Sequence, residues 1–123
     1  MATSVRYIVD DTDDLSVYEL LGFTVLAHPS PGFAVLERGG TRLLLNVPGG
    51  GGGAGRTTTG ATPRPGGWNR LQLEVDSLDE LVTDLAAAGV RIRSGVVDGR
   101  GGRQAIVEDT SGNPFELFEP AAR

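Results

Sequence analysis

The chain has no cysteine, no lysine, a single histidine, and no apolar run approaching the roughly 18 residues that a membrane-spanning helix needs. Without cysteine there is no disulfide, thiol nucleophile, zinc knuckle or iron-sulfur cluster. All eleven basic residues are arginine, so no side-chain amine is present for Schiff-base chemistry. A formal net charge of −5 opposes a phosphate backbone. No arginine cluster interleaved with aromatics offsets it, which argues against nucleic acid as a partner. The opening residues, MATSVRYIVDD, lack the basic and apolar segments of a secretory signal. The expectation is a soluble, cytoplasmic protein with no membrane partner. The one histidine, His28, lies in the turn-rich stretch AHPSPG and is read as a solvated loop residue.

What is present is a duplication. VDDTDDL at 9–15 is echoed by VDSLDEL at 75–81, and LLGFTV at 20–25 by AAGVRI at 87–92. Asn46-Val47-Pro48 and Phe118-Glu119-Pro120 close the two halves alike. In the second half Leu78, Leu81, Val82 and Leu85 recur at helical spacing behind a Ser77/Glu80 capping box, and Gly89 ends the helix. Ahead of it, Trp68 to Val75 alternates with period two, which predicts a strand with Arg70 and Gln72 on one face. Strands are then expected at 90–97, 104–108 and 114–119, with a turn at Asp109–Asn113. The first half repeats the order, with a strand at 4–9, a helix over 12–21 ended by Gly22, and strands at 23–27, 33–38 and 41–47. The organisation is one domain: module one at 1–48, a flexible Gly-rich linker at 49–67 too poor in apolar residues to pack, and module two at 68–123. The glycine run lacks the strand-to-helix context and the GK[ST] of a phosphate loop.

Paired βαβββ modules, V-x-D before each helix, LGF and AAGV at the helix exits, and EDTSGNPFELFEP near the end together resemble the vicinal-oxygen-chelate superfamily of glyoxalases, bleomycin-resistance proteins and extradiol dioxygenases. GGWNRLQLEVDSLDELVTDLAAAGVRIR and GGRQAIVEDTSGNPFELFEP are most similar to its bleomycin-resistance-type branch. The resemblance implies an α+β fold of two modules forming cupped mixed sheets. It also implies a homodimer, with modules paired within one chain or exchanged between two.

Such enzymes hold a divalent metal on one side chain near the start of each module's first strand and one in each module's last strand. Carried over, those places fall on Ser4, Leu44, Arg70 and Glu116. Only the glutamate is a metal ligand of the usual His, His and Glu set, and a guanidinium has no lone pair to offer a cation. No metal and no cofactor are therefore expected. Arg70 and Glu116 are placed to pair with each other, which leaves Glu116 either a structural partner of Arg70 or a ligand contact. The implied ligand-binding residues are Trp68, Arg70, Gln72, Glu116 and Phe118, with Arg42 and Asn46 from module one. Trp68 is alternatively a core or dimer-interface residue.

Tyr7 shares the parity of Val5 and Val9, which turns it towards the helix and away from that site. The resemblance thus implies a non-catalytic protein that sequesters a small molecule, an antibiotic of bleomycin or enediyne type. The alternative is a glyoxalase-like lyase, isomerase or thiol transferase working through Glu116 or Tyr7 without metal.

Overall fold

Leu71–Glu74, Ile92–Asp98, Gly102–Glu108 and Pro114–Pro120 form a four-stranded sheet whose apolar alternate residues turn to one side, where the helix Leu78–Ala87 covers them. The computed structural model describes residues 1–49 and 54–122. It divides into two units, Met1–Gly66 and Gly67–Arg123. In chain order the first unit holds β1 (Ser4–Ile8), α1 (Ser16–Leu20), β2 (Thr24–Ser30), β3 (Phe33–Arg38) and β4 (Thr41–Asn46). The second holds β5 (Leu71–Glu74), α2 (Leu78–Ala87), β6 (Ile92–Asp98), β7 (Gly102–Glu108) and β8 (Pro114–Pro120). Both are βαβββ, and both sheets are mixed, ordered β1-β4-β3-β2 and β5-β8-β7-β6.

The duplication extends to register. Ser4 lies opposite Arg42 and Arg6 opposite Leu44 in the parallel β1–β4 pair, while Gln72 lies opposite Glu116 in β5–β8. Positions 6 and 72, and 44 and 116, are thus equivalent. In unit one the helix-facing side of the sheet contributes Leu36, Leu43 and Leu45, all fully buried. In unit two Leu73, Ala105, Val107, Phe115 and Leu117 do the same beneath Leu78 and Leu85. Gly22 and Gly89 leave their helices at φ +91° and +85°, conformations that cost a residue with a Cβ. At Gly102 a Cβ would fall 2.1 Å from the Glu119 carbonyl oxygen, so the β7–β8 approach itself requires glycine.

Local chemistry redraws several expected boundaries. Helix α1 begins at Ser16 rather than 12, because Asp11 and Asp14 carboxylates accept from the backbone N–H of Asp13 and Ser16 and hold the preceding residues in turns. Strand β5 begins at Leu71 rather than Trp68. Its ladder partner ends at Pro114, which has no N–H with which to extend the pairing. Ser77 makes no capping bond with its side chain. The Leu78 N–H is instead accepted by a Glu119 carboxylate oxygen at 2.9 Å, a charged acceptor well suited to a helix N-terminus. The glycines at 50–53 lie outside the described residues. Ala54, expected in an unpacked linker, is fully buried, and its carbonyl accepts from Gly49 N–H at 2.7 Å.

Candidate functional site

In unit two the residues of alternate parity point away from α2. Gln72 on β5, Glu116 and Phe118 on β8, and Gln104, Ile106 and Glu108 on β7 share this face by register. Arg70, just before β5, joins them. Arg70 Nε and Nη2 donate to Glu116 Oε1 at 3.1 and 2.9 Å, and Arg70 Nη1 donates to the Trp68 carbonyl at 3.2 Å. Gln72 Nε2 donates to Glu116 Oε2 at 2.6 Å. The Arg70–Glu116 pair anticipated from the sequence is therefore present, and both carboxylate oxygens are engaged. The pair sits low on the sheet, with side-chain exposures of 26% for Arg70 and 12% for Glu116.

A second pair, not anticipated, lies on the same face. Arg93 Nε donates to Glu108 Oε2 at 2.7 Å, Nη1 to the Gly67 carbonyl at 2.7 Å and Nη2 to the Gly112 carbonyl at 2.9 Å. The guanidinium carbon lies 4.5 Å from the centre of the Trp68 ring, a cation–π stack. Trp68 remains 67% exposed, which removes the core reading of this residue. Arg93 escaped notice because its partners Glu108, Gly67 and Gly112 are far away in sequence and meet it only through the fold. The usable signal was chemical: two arginines two residues apart facing a strand that ends in Glu108. Gly112 is set by the expected Asp109–Asn113 turn, in which Asp109 accepts from Ser111 N–H, Asn113 N–H and Asn113 Nδ2.

In unit one, Asn46 is buried and its Oδ1 accepts from Arg6 Nη1 at 3.0 Å. Arg42 is exposed opposite Ser4 and Glu37. Tyr7 is 8% exposed and lies on the helix-facing side, as its parity with Val9 requires.

His28 is exposed, as expected, but it is not in a loop. It lies in β2, with Nε2 2.8 Å from Thr12 Oγ1, and that hydroxyl donates to the Pro31 carbonyl at 2.7 Å. Thr12 has one proton and gives it to a carbonyl that can only accept, so His28 must carry its hydrogen on Nε2. The sequence could not show this, because Thr12 and His28 meet only through the fold. They line an open concavity of about 480 Å³ with Asp13, Pro29, Ser30 and Pro31.

The residues at the family's metal positions do not fit a cation. Within unit two, Arg70 brings positive charge and no lone pair, and Glu116 already accepts from Arg70 and Gln72. Within unit one, Leu44 offers no donor atom and Ser4 only an exposed hydroxyl. Among the described residues no group of three or more His, Cys, Asp or Glu side chains is placed to hold a metal ion, and no helix is long and apolar enough to cross a membrane.

The family model described as Glyoxalase/Bleomycin resistance protein/Dioxygenase superfamily matches residues 4–117. Among solved structures, the hypothetical protein SA1046 from S. aureus is 18% identical with a TM-score of 0.78, covering 97% of this chain and 93% of its own. TnmS3, an antibiotic binding protein from Streptomyces sp. CB03234, is 26% identical with a TM-score of 0.66, covering 98% of both chains. Lactoylglutathione lyase from Agrobacterium tumefaciens is 18% identical with a TM-score of 0.70, covering 97% of this chain and 92% of its own. No curated protein sequence matches the chain.

Proposed function

This chain belongs to the Glyoxalase/Bleomycin resistance protein/Dioxygenase superfamily, and from that premise we propose that it is a metal-free protein that binds and sequesters a small molecule, with antibiotic self-protection as its role. The observation that carries the reading is the state of Glu116. The one metal-type ligand retained at the family's positions is held by Arg70 and Gln72. Both oxygens of this carboxylate already accept hydrogen bonds, and an arginine in place of a ligand cannot act as a Lewis acid. Trp68 and Phe118 supply the aromatic surface, and Arg70, Gln72 and Glu116 the polar contacts. The resemblance of fold to an antibiotic binding protein agrees with this reading.

The test is stoichiometry. A thermal-shift screen of aromatic antibiotics identifies a ligand. Under sequestration, protection is complete at about one ligand per site, and the compound is recovered chemically unchanged after the protein is denatured. Many turnovers per chain, with a new product by mass spectrometry, refute it. The same reading makes the protein a homodimer, because four-stranded sheets with open edges call for partners. A monomer by light scattering at micromolar concentration overturns that part alone.

A further inference from the structure

We infer that the face of unit two directed away from α2 selects an uncharged, planar ligand that brings a hydrogen-bond acceptor to Arg70 and a donor to Gln72. This rests on the binding reading above and narrows the class of ligand.

The argument starts from charge. Each carboxylate at the centre of this face is matched by an arginine, Glu116 by Arg70 at 2.9 Å and Glu108 by Arg93 at 2.7 Å; a further arginine, Arg91, reaches the other Glu108 oxygen at 3.4 Å, but its side chain is 78% exposed and its charge is screened by water. An anionic ligand that approached either arginine would also meet the carboxylate already bound to it, and a cation drawn to either carboxylate would meet the arginine. Such like-charge encounters oppose binding where water is displaced. A ligand without net charge meets neither penalty.

The hydrogen-bond inventory then fixes polarity. Of the five N–H groups of a guanidinium, Arg70 gives three, two to Glu116 and one to the Trp68 carbonyl. Two N–H donors remain. Gln72 must turn its NH₂ towards Glu116, because a carboxylate can only accept. Its Oε1 is therefore directed elsewhere and is an acceptor. Phe118 shares the face, and Trp68, backed by Arg93, stands exposed at the same end of the sheet as Glu108. Flat apolar surface beside a fixed donor and a fixed acceptor matches an aromatic ring system with a carbonyl on one edge and an N–H or O–H on another.

Four probes of one shape test this: acridone, neutral with C=O and N–H on opposite edges; N-methylacridone, which lacks the donor; 9-aminoacridine, a cation; and acridine-9-carboxylate, an anion. Fluorescence polarisation of the probes reads binding. Acridone is expected to bind at least about tenfold more tightly than either ion, and N-methylation or Gln72→Leu to remove about tenfold. Glu116→Gln, which uncovers a positive charge, moves the preference towards the carboxylate. Gln72→Glu moves it towards 9-aminoacridine. Cooperative thermal unfolding confirms that each variant folds, and either one suffices if the other does not. If an ion binds the unaltered protein as tightly as acridone, or a folded charge variant leaves the order of the probes unchanged, the inference is overturned while the binding reading stands. If no probe binds up to millimolar concentration, the planar-ligand reading falls and the inference with it.

Discussion

Replacing Arg70 with methionine keeps much of the apolar stem and removes the charge, leaving Glu116 with the Gln72 amide as its remaining hydrogen-bond partner. Breaking a fully buried ion pair costs about 3–5 kcal/mol, whereas an exposed pair contributes about 0–1 kcal/mol. With side-chain exposures of 26% and 12% the pair lies between these limits. Discounted for solvent screening at Arg70, the loss is about 2 kcal/mol. For a chain of 123 residues that corresponds to a fall of about 8 °C in Tm. The double variant Arg70→Met/Glu116→Leu removes both charges and should return to within about 1 kcal/mol of the unaltered protein, because no carboxylate is left without its cation. Urea unfolding followed by circular dichroism measures all three variants of the cycle. A single variant within about 0.5 kcal/mol of the parent, or a double variant that is the plain sum of its singles, refutes the claim that this pair is held together against a desolvation cost.

Three further outcomes follow from the same geometry. Thr12→Val removes a hydroxyl that is 1% exposed and bonded to both His28 and Pro31, and should cost about 1 kcal/mol in urea unfolding; His28→Ala should cost less, since the Thr12–Pro31 bond survives it. Trp68→Ala should leave stability within about 1 kcal/mol of the parent, because the ring is mostly exposed and stacked on Arg93, yet weaken a planar ligand by about thirtyfold in titration. The hydrogen bonds from Arg103 hold the Asp79 carboxyl below its ordinary range. Because the folded value is the lower one, the stability this contributes is complete above the unfolded value and is lost as pH falls through the folded one. The unaltered protein should therefore lose more Tm than Asp79→Asn on acidification below about pH 4, and equal losses in the two proteins contradict the assignment.

The sequence carried the architecture because the duplication supplied every element twice and apolar spacing repeated in both copies. Gly22 and Gly89 could be read as helix ends because only one backbone conformation suits them there. Arg70 opposite Glu116 was legible because strand parity and the repeat offset fixed both positions. What was not legible depends on contacts between distant parts of the chain. Glu119 caps α2 in place of Ser77 because β8 ends beside the helix N-terminus, which no local pattern encodes. Arg93 meets Glu108 and Trp68 only through the fold, so no local pattern pointed to the Trp68 stack. His28 was read as a loop residue because it stands in the turn-rich stretch AHPSPG, and its bond to Thr12 was hidden because Thr12 stood inside a segment expected to be helical. The turns made by Asp11 and Asp14 keep that segment open.

A carboxylate low on a sheet needs a compensating positive charge, and a bound metal or an arginine can supply it. The metal must be captured from solution but offers empty orbitals that polarise a substrate. The guanidinium is always present but offers only N–H groups in a fixed plane. At Glu116 the second solution also recruits Gln72, so that both carboxylate oxygens accept from donors two residues apart at the start of β5. The chemistry available to the face changes accordingly. A metal tolerates exchange of its ligands, which is what turnover requires, whereas Arg70 and Gln72 offer donors and an acceptor already held in place by their bonds to Glu116. That prior fixing lowers the ordering cost of binding.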